Sequence, residues 1–550
     1  MKRFRVVVDM NIHEPGLTGY AVIEKRPGLP ALTGIRFIAA FSVLVGHSIV
    51  WTGGNNVIGN LASYITQGPA LGMPLFFVLS GFVIHYNYGH LFGKSYTRAL
   101  AVFFVARVAR LYPLYLLLLG VFIVEKRAYS LPAEVWLSYL TLSQSWFLSY
   151  QDKTWLGHML LPPAWSISIE WFLYLFYGTL GIAALRLQSL RACIVTWFTL
   201  FVLYYFLIYI CYLHFDELRI WGNAAYYVSA DPQNALLGWI FNTGPPGRLI
   251  EFLLGVSVAQ IYLLVRTRKI SKNECRIAGL ALHFTLVICA AIYIGGVSVP
   301  LLQFGNHYAG MLAPFLSALI FLSVRYDHWF GRAMSRPLTV LLGEASYSIY
   351  LLHLFILQWF TREQTNLVVW NYWLAIVVST GFTVLLSVGL YLAFEIPSRR
   401  YLRRKLTRTI DVLFNVIEPR FKTTTLGGHA MLRGSVAAIL LGLVISLNLP
   451  KPEPRIVIAE ATYGSTCANE IPLAPATNLF HKGNATLNIK QLCNYQALCR
   501  IVIDVNRLGD PVSGCAKDFE MTYRCRGNDS LRTISVAAEA NGKTIDLDCR

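Results

Sequence analysis

The sequence predicts an all-α polytopic membrane bundle followed by a small, disulfide-rich extracytoplasmic domain of α+β or all-β type. Three observations predict it. The 550 residues are 55% hydrophobic and only 14% charged, too apolar for one ordinary soluble domain. Apolar runs of the ~20 residues that a bilayer core requires recur along most of the chain. Six of the ten cysteines are gathered in the last hundred or so residues.

Candidate spans fall at 31–51, 71–90, 108–124, 163–185, 192–213, 238–265, 276–296, 307–324, 342–360, 370–394 and 431–449, eleven in all. The stretch 131–148 carries several polar residues and reads either as a twelfth span or as a segment lying flat at the interface. Residues 1–30 contain Lys2, Arg3 and Arg5, with neither an apolar centre nor a small-residue cleavage site. They are expected to form a cytoplasmic tail, with the first span as an uncleaved anchor.

The formal charge of +18 raises the question of nucleic acid. Its placement answers otherwise. Lys94, Arg98, Arg107 and Arg110, then Arg186 and Arg191, then Arg266, Arg268 and Lys269, lie at alternate ends of the apolar runs. Arg325, Arg332 and Arg336 follow, and then 399–408. Short loops rich in Lys and Arg stay in the cytoplasm. The charge is read as topology, and the expected partner is the lipid bilayer, with no nucleic acid.

After residue 405 a cytoplasmic connector is expected over 406–430, then the additional span 431–449 and a spacer holding Pro450, Pro452 and Pro454. From 455 to 550 the pattern shortens to runs such as Ile456-Val457-Ile458, Thr486-Leu487-Asn488-Ile489 and Ile501-Val502-Ile503, which suggest strands. Cys467, Cys493, Cys499, Cys515, Cys525 and Cys549 all lie there. An even number in a short tail reads as a disulfide framework in an oxidising compartment. A zinc site is the rival, but no paired CxxC supports it, so no metal is expected. Eleven spans from a cytoplasmic N-terminus leave this tail outside, which agrees. The spacings leave open which of the 15 pairings of six cysteines forms. Cys193, Cys211, Cys275 and Cys289 sit in the apolar runs, where packing is expected.

An ionisable side chain inside a membrane span is costly and marks a candidate site. Arg36 and His47 lie in the first span, LTGIRFIAAFSVLVGHS. Eleven residues bring them within about 20° of three whole turns, on one helix face and about 16 Å apart along the axis. A guanidinium suits bidentate contact with phosphate. An imidazole suits removal of a hydroxyl proton near neutral pH. A snorkelling Arg36 and a passive buried His47 are the competing reading. Glu170 lies in PAWSISIEWFLYLFYG, one turn after Ser166, and a buried carboxylate can support a histidine base. Arg107 and Arg110 share a face and suit a second phosphate contact, although positive-inside anchoring also explains them. Arg248 and Glu251 read as a local ion pair. For Glu344 and His353 the expectation is weaker, and for His353 it is packing or hydrogen bonding to helix neighbours.

Seven ordered stretches resemble the acyltransferase-3 family of integral membrane O-acyltransferases. They are LTGIRFIAAFSVLVGH, GMPLFFVLSGFVI, FFVARVARLYPLY, PAWSISIEWFLYL, RLIEFLLGVSVA, LLGEASYSIYLLH and FEIPSRR. The resemblance covers the membrane domain, 31–405. It implies ten core helices, cytoplasmic acyl-CoA (acetyl-CoA above all) as donor, and a carbohydrate acceptor on the far side. It implies His47 as catalytic base with Arg36 as motif partner, Arg107 and Arg110 at the donor, and Glu170 as the acidic position. Ser80 falls in its Ser-Gly-Phe element, and Ser80 and Ser166 are assigned to substrate contact. Met73-Pro74 departs from the Val-Asp that the family often has.

The tail resembles the galactose/rhamnose-binding lectin domain of the sea-urchin egg lectin type, through IVIAEATYGSTC, GNATLNI and VNRLGDPVSGCAKDFEMTYRC. That resemblance assigns Tyr463, Asp510 and Lys517 to sugar contact. Ser465 stands where an Arg is usual, and Val512 where a Cys is usual. Two other classes remain as alternatives: a transporter or flippase of a lipid-linked sugar, and a glycan-binding receptor. No internal repeat favours the transporter.

Overall fold

Hydrocarbon offers no water to backbone N–H and C=O groups, so an apolar run crossing it closes its hydrogen bonds within itself, as a helix. The apolar runs do so here. The computed structural model describes residues 26–51, 60–92, 96–126, 131, 133–148, 150–151, 154–215, 217–218, 235–308, 310–363, 372–417, 456–469, 483–493, 498–508, 515–525 and 530–549. The chain divides into two compact units, one holding the helices and one the C-terminal strands.

The helices that build the first unit are α1 (Pro30–Trp51), α2 (Gly68–Phe92), α3 (Tyr96–Lys126), α4 (Ala164–Arg186), α5 (Leu190–Leu213) and α6 (Pro245–Val265). They continue as α7 (Lys272–Gly295), α8 (Ala313–Arg325), α9 (Pro337–Glu344), α10 (Ser346–Glu363), α11 (Tyr372–Leu390) and α12 (Ile396–Ile417). Seven described helices are long and apolar enough to cross a membrane, and α9 with α10, bent by 61°, adds an eighth. This is a multi-pass membrane protein. Within 131–148 the helix runs only over Ala133–Leu140; eight residues rise about 12 Å, too little to cross. The expected span at 307–324 contains the shorter helix α8. Residues 1–25, the end of the connector from 418 and the span 431–449 lie outside the described residues.

Small residues set one close crossing. A Cβ built on Gly81 of α2 would meet the Phe252 carbonyl oxygen at 2.0 Å, and one on Gly255 of α6 would meet that of Val78 at 2.0 Å. Each glycine clears the other helix's backbone, the small-residue packing that membrane helices use. Beside this crossing Arg248 and Glu251 form the expected ion pair, with Arg248 Nη1 donating to both Glu251 oxygens at 2.8 Å. Tyr204 Oη adds a third hydrogen bond, to Glu251 Oε1 at 2.9 Å.

In the second unit β1 (Ile456–Tyr463) pairs antiparallel with β3 (Phe519–Cys525), which pairs with β4 (Arg532–Val536). A separate ladder joins β2 (Leu498–Val502) to β5 (Thr544–Asp548). Burial alternates along β2, β3 and β5 and puts Ile501, Phe519, Met521, Ile545 and Leu547 in the core. Thr486-Leu487-Asn488-Ile489, expected as a strand, instead opens α13 (Thr486–Cys493). Ala485, Ile489 and Cys493 are all fully buried, so the decisive period is four residues and the local alternation loses. Three disulfides form, Cys467–Cys515, Cys493–Cys499 and Cys525–Cys549, each of a kind worth about 2–4 kcal/mol. Strands and disulfides together are compatible with a small lectin-like domain.

Asp518 gives this unit a pH dependence. Burial raises its pKa, but Ser465 Oγ, Thr466 N and Thr466 Oγ1 all donate to its carboxylate, and the net position is below the usual value. A depressed carboxylate contributes stability above its unfolded pKa of about 3.9, and loses it as the pH falls through the lower folded value. Protease protection of the C-terminal unit in the full chain is therefore expected to weaken below about pH 4, and Asp518→Asn to flatten that acid dependence.

Candidate active site

Four helices bring chemistry to one place. Arg36 enters from α1, Ser80 from α2, Arg107 and Arg110 from α3, and Ser166 and Glu170 from α4; together they line a cavity of about 730 Å³, its mouth included. Tyr174 of α4 and Ser346, Tyr347 and Tyr350 of α10 complete the polar part of the wall. Six residues singled out in the sequence thus converge, although they span 135 positions of chain from Arg36 to Glu170.

Three guanidiniums face one carboxylate, so the wall is cationic. Arg107 is buried and fixed: Nη2 donates to Tyr88 Oη at 2.8 Å, and the guanidinium lies 4.8 Å from the Tyr88 ring. Its Nε, also buried, has no hydrogen-bond partner among the described residues. Arg36 and Arg110 make no hydrogen bond or ion pair among the described residues. Charged donors held out of water without partners are costly, and a bound anion would relieve that cost. Phosphate oxygens match guanidinium geometry well.

Glu170 has other partners than the one expected for it. Ser80 Oγ donates to Glu170 Oε1 at 3.0 Å, and Tyr174 Oη donates to the same oxygen. It is not bonded to His47. His47 is hydrogen-bonded instead to His353 of α10, with Nδ1 of the first 3.0 Å from Nε2 of the second. The rings stack with centroids 5.1 Å apart. His353 is 1% exposed, and its Nδ1 also meets the Tyr350 carbonyl oxygen. Its expected bond to a helix neighbour is present; the link to His47 is the part the sequence did not reveal.

The spacing of Arg36 and His47 reappears as two parallel stripes. On α10, Ser346, Tyr350 and His353 follow one another at helical intervals; the first two line the cavity and the third meets His47. On α1, Arg36 lines the cavity and His47 lies three turns on. Ser166 Oγ donates to Tyr350 Oη at 2.8 Å, joining α4 to that stripe.

In the second unit Tyr463 is 1% exposed and sits in the core, where its backbone is clasped by the Asn484 side chain. Lys517 is buried, with Nζ donating to the Cys515 carbonyl oxygen at 3.1 Å. Ser465, at the position where an Arg was expected, is engaged with Asp518. Asp510 lies outside the described residues. Among the described residues no group of three His, Cys, Asp or Glu side chains is placed to hold a metal ion.

A family model described as an acyltransferase domain, of the acyltransferase-3 type, matches residues 29–392. That is well over half of the chain, and it contains every cavity residue named above together with His47 and His353. No curated protein and no solved structure matches.

Proposed function

Because this chain belongs to the acyltransferase-3 family, we propose that it is an O-acyltransferase carrying an acyl group, foremost acetyl, from cytoplasmic acyl-CoA to a hydroxyl of a cell-surface or exported glycan. The observation that carries the reading is the cationic cavity with its unpartnered Arg36 and Arg110, set on the same helix stripe as a histidine. Such a wall suits the phosphates of coenzyme A, which bring several negative charges close together.

In this reading Arg36, Arg107 and Arg110 hold the donor phosphates at the cytoplasmic edge. The pantetheine arm runs along α1 toward His47. His47 takes the proton of the acceptor hydroxyl as its oxygen attacks the thioester carbonyl carbon. The carbon–sulfur bond breaks, and the departing thiolate receives that proton from the imidazolium. General-base help of this kind contributes about 10²–10⁴-fold. Glu170, bonded to Ser80 and Tyr174, keeps the cavity wall ordered around the donor.

The C-terminal unit, on the extracytoplasmic side, serves to bring the glycan to the enzyme as a lectin-like module. Its three disulfides suit an oxidising compartment.

Membranes containing the protein, given acyl-labelled acetyl-CoA on the cytoplasmic side, should transfer label to glycan on the other side. Label should be released by mild alkali, as an O-ester is. Label that reaches only water, or crosses still attached to coenzyme A, would overturn the proposal.

A further inference from the structure

We infer that His353 is a positioning residue that sets the tautomer of His47, so that Nε2 of His47 is the nitrogen that takes the acceptor proton. The inference rests on the acyltransferase reading above and goes beyond it by fixing the proton inventory of the pair.

A backbone carbonyl only accepts. The Tyr350 carbonyl oxygen facing His353 Nδ1 therefore requires the proton of His353 to be on Nδ1. A neutral imidazole has one N–H and one lone pair, so His353 Nε2 is an acceptor. His47 Nδ1, 3.0 Å away, must then donate to it, and the lone pair of neutral His47 is left on Nε2. The bond to the second nitrogen thus selects which nitrogen is basic, the relation by which orienting groups act in other histidine sites. His353 is buried and is not among the residues that line the cavity. Its work is done through His47.

The anchor of this arrangement belongs to the donor site. The same Tyr350 that offers its carbonyl to His353 lines the cavity with its ring and accepts from Ser166 through its hydroxyl. The orientation of the base is thereby built on a residue of the donor wall.

Glutamine and asparagine separate the two nitrogens of His353. The amide oxygen of a glutamine reaches the place of Nε2 and can accept from His47, whereas an asparagine amide falls near Nδ1. His353→Gln should keep kcat within about tenfold of wild type, while His353→Asn and His353→Leu should lose about 100-fold or more, given that a wrong tautomer can cost ~10⁴. KM for acyl-CoA should stay level in all three, which a general loss of structure would not allow. Equal activity of the Asn and Gln variants, or full activity of the Leu variant, overturns the inference. A measurement on the unaltered protein guards against variants that fold poorly. In ¹⁵N-histidine-labelled protein, the signal absent from His47→Ala should report an unprotonated Nε2; a protonated Nε2 overturns the inference as well. Loss of the acyltransferase reading is seen separately, as acyl transfer that survives His47→Ala.

Discussion

Replacing His47 with alanine is expected to remove acyl groups from the proposed glycan acceptor while leaving the amount of protein in the membrane unchanged. The base step is worth about 10²–10⁴-fold, so transfer should fall by at least about 100-fold. Folding should survive, because the hydrogen bond that His47 makes to another side chain is the one to His353, and leaving that acceptor unsatisfied costs about 1–3 kcal/mol. A residual rate from donor and acceptor held together is expected, as in other enzymes stripped of a base. The measurement is ester-linked acyl on isolated glycan, normalised to protein in the membrane. Wild-type acylation in the variant would exclude His47 as base.

Arg110→Ala weakens the donor complex. A charge-assisted hydrogen bond is worth about 1.5–3 kcal/mol, so KM for acyl-CoA should rise roughly 10–100-fold, with a smaller change in kcat at saturating donor. The argument depends on Arg110 making no hydrogen bond or ion pair among the described residues; its removal breaks none there. Arg107→Ala should behave differently. That guanidinium is bonded to Tyr88 and packed against the Tyr88, Phe103 and Tyr174 rings, so its loss should lower thermal stability in detergent along with affinity. Titration of acetyl-CoA against both variants separates the two effects. An unchanged KM in Arg110→Ala would remove the phosphate contact from that residue.

Much of this was legible in the sequence, and the reasons differ by residue. The long helices could be read because hydrocarbon leaves an apolar run no other way to satisfy its backbone. Arg36 and His47 could be related because one straight helix joins them. Arg248 and Glu251 were found for the same reason, one turn apart. Contacts between helices were not legible. Glu170 meets Ser80 across 90 positions, and His47 meets His353 across 306; hydropathy records only that each lies in an apolar run. His353, flanked by Leu351, Leu352 and Leu354, resembles packing, and the backbone carbonyl that orients it has no side-chain signature. The strand expected at Thr486 failed because four alternating residues cannot reveal the buried positions Ile489 and Cys493 one helical turn apart. The disulfide pairing needed three-dimensional proximity.

The reciprocal contact of Gly81 and Gly255 makes a seam in which backbone rests on backbone. Side chains can change rotamer to yield to a guest; a seam without them has nothing to yield. Ser80 stands beside it, so this part of the cavity wall rests on a crossing that leaves little room for a larger residue.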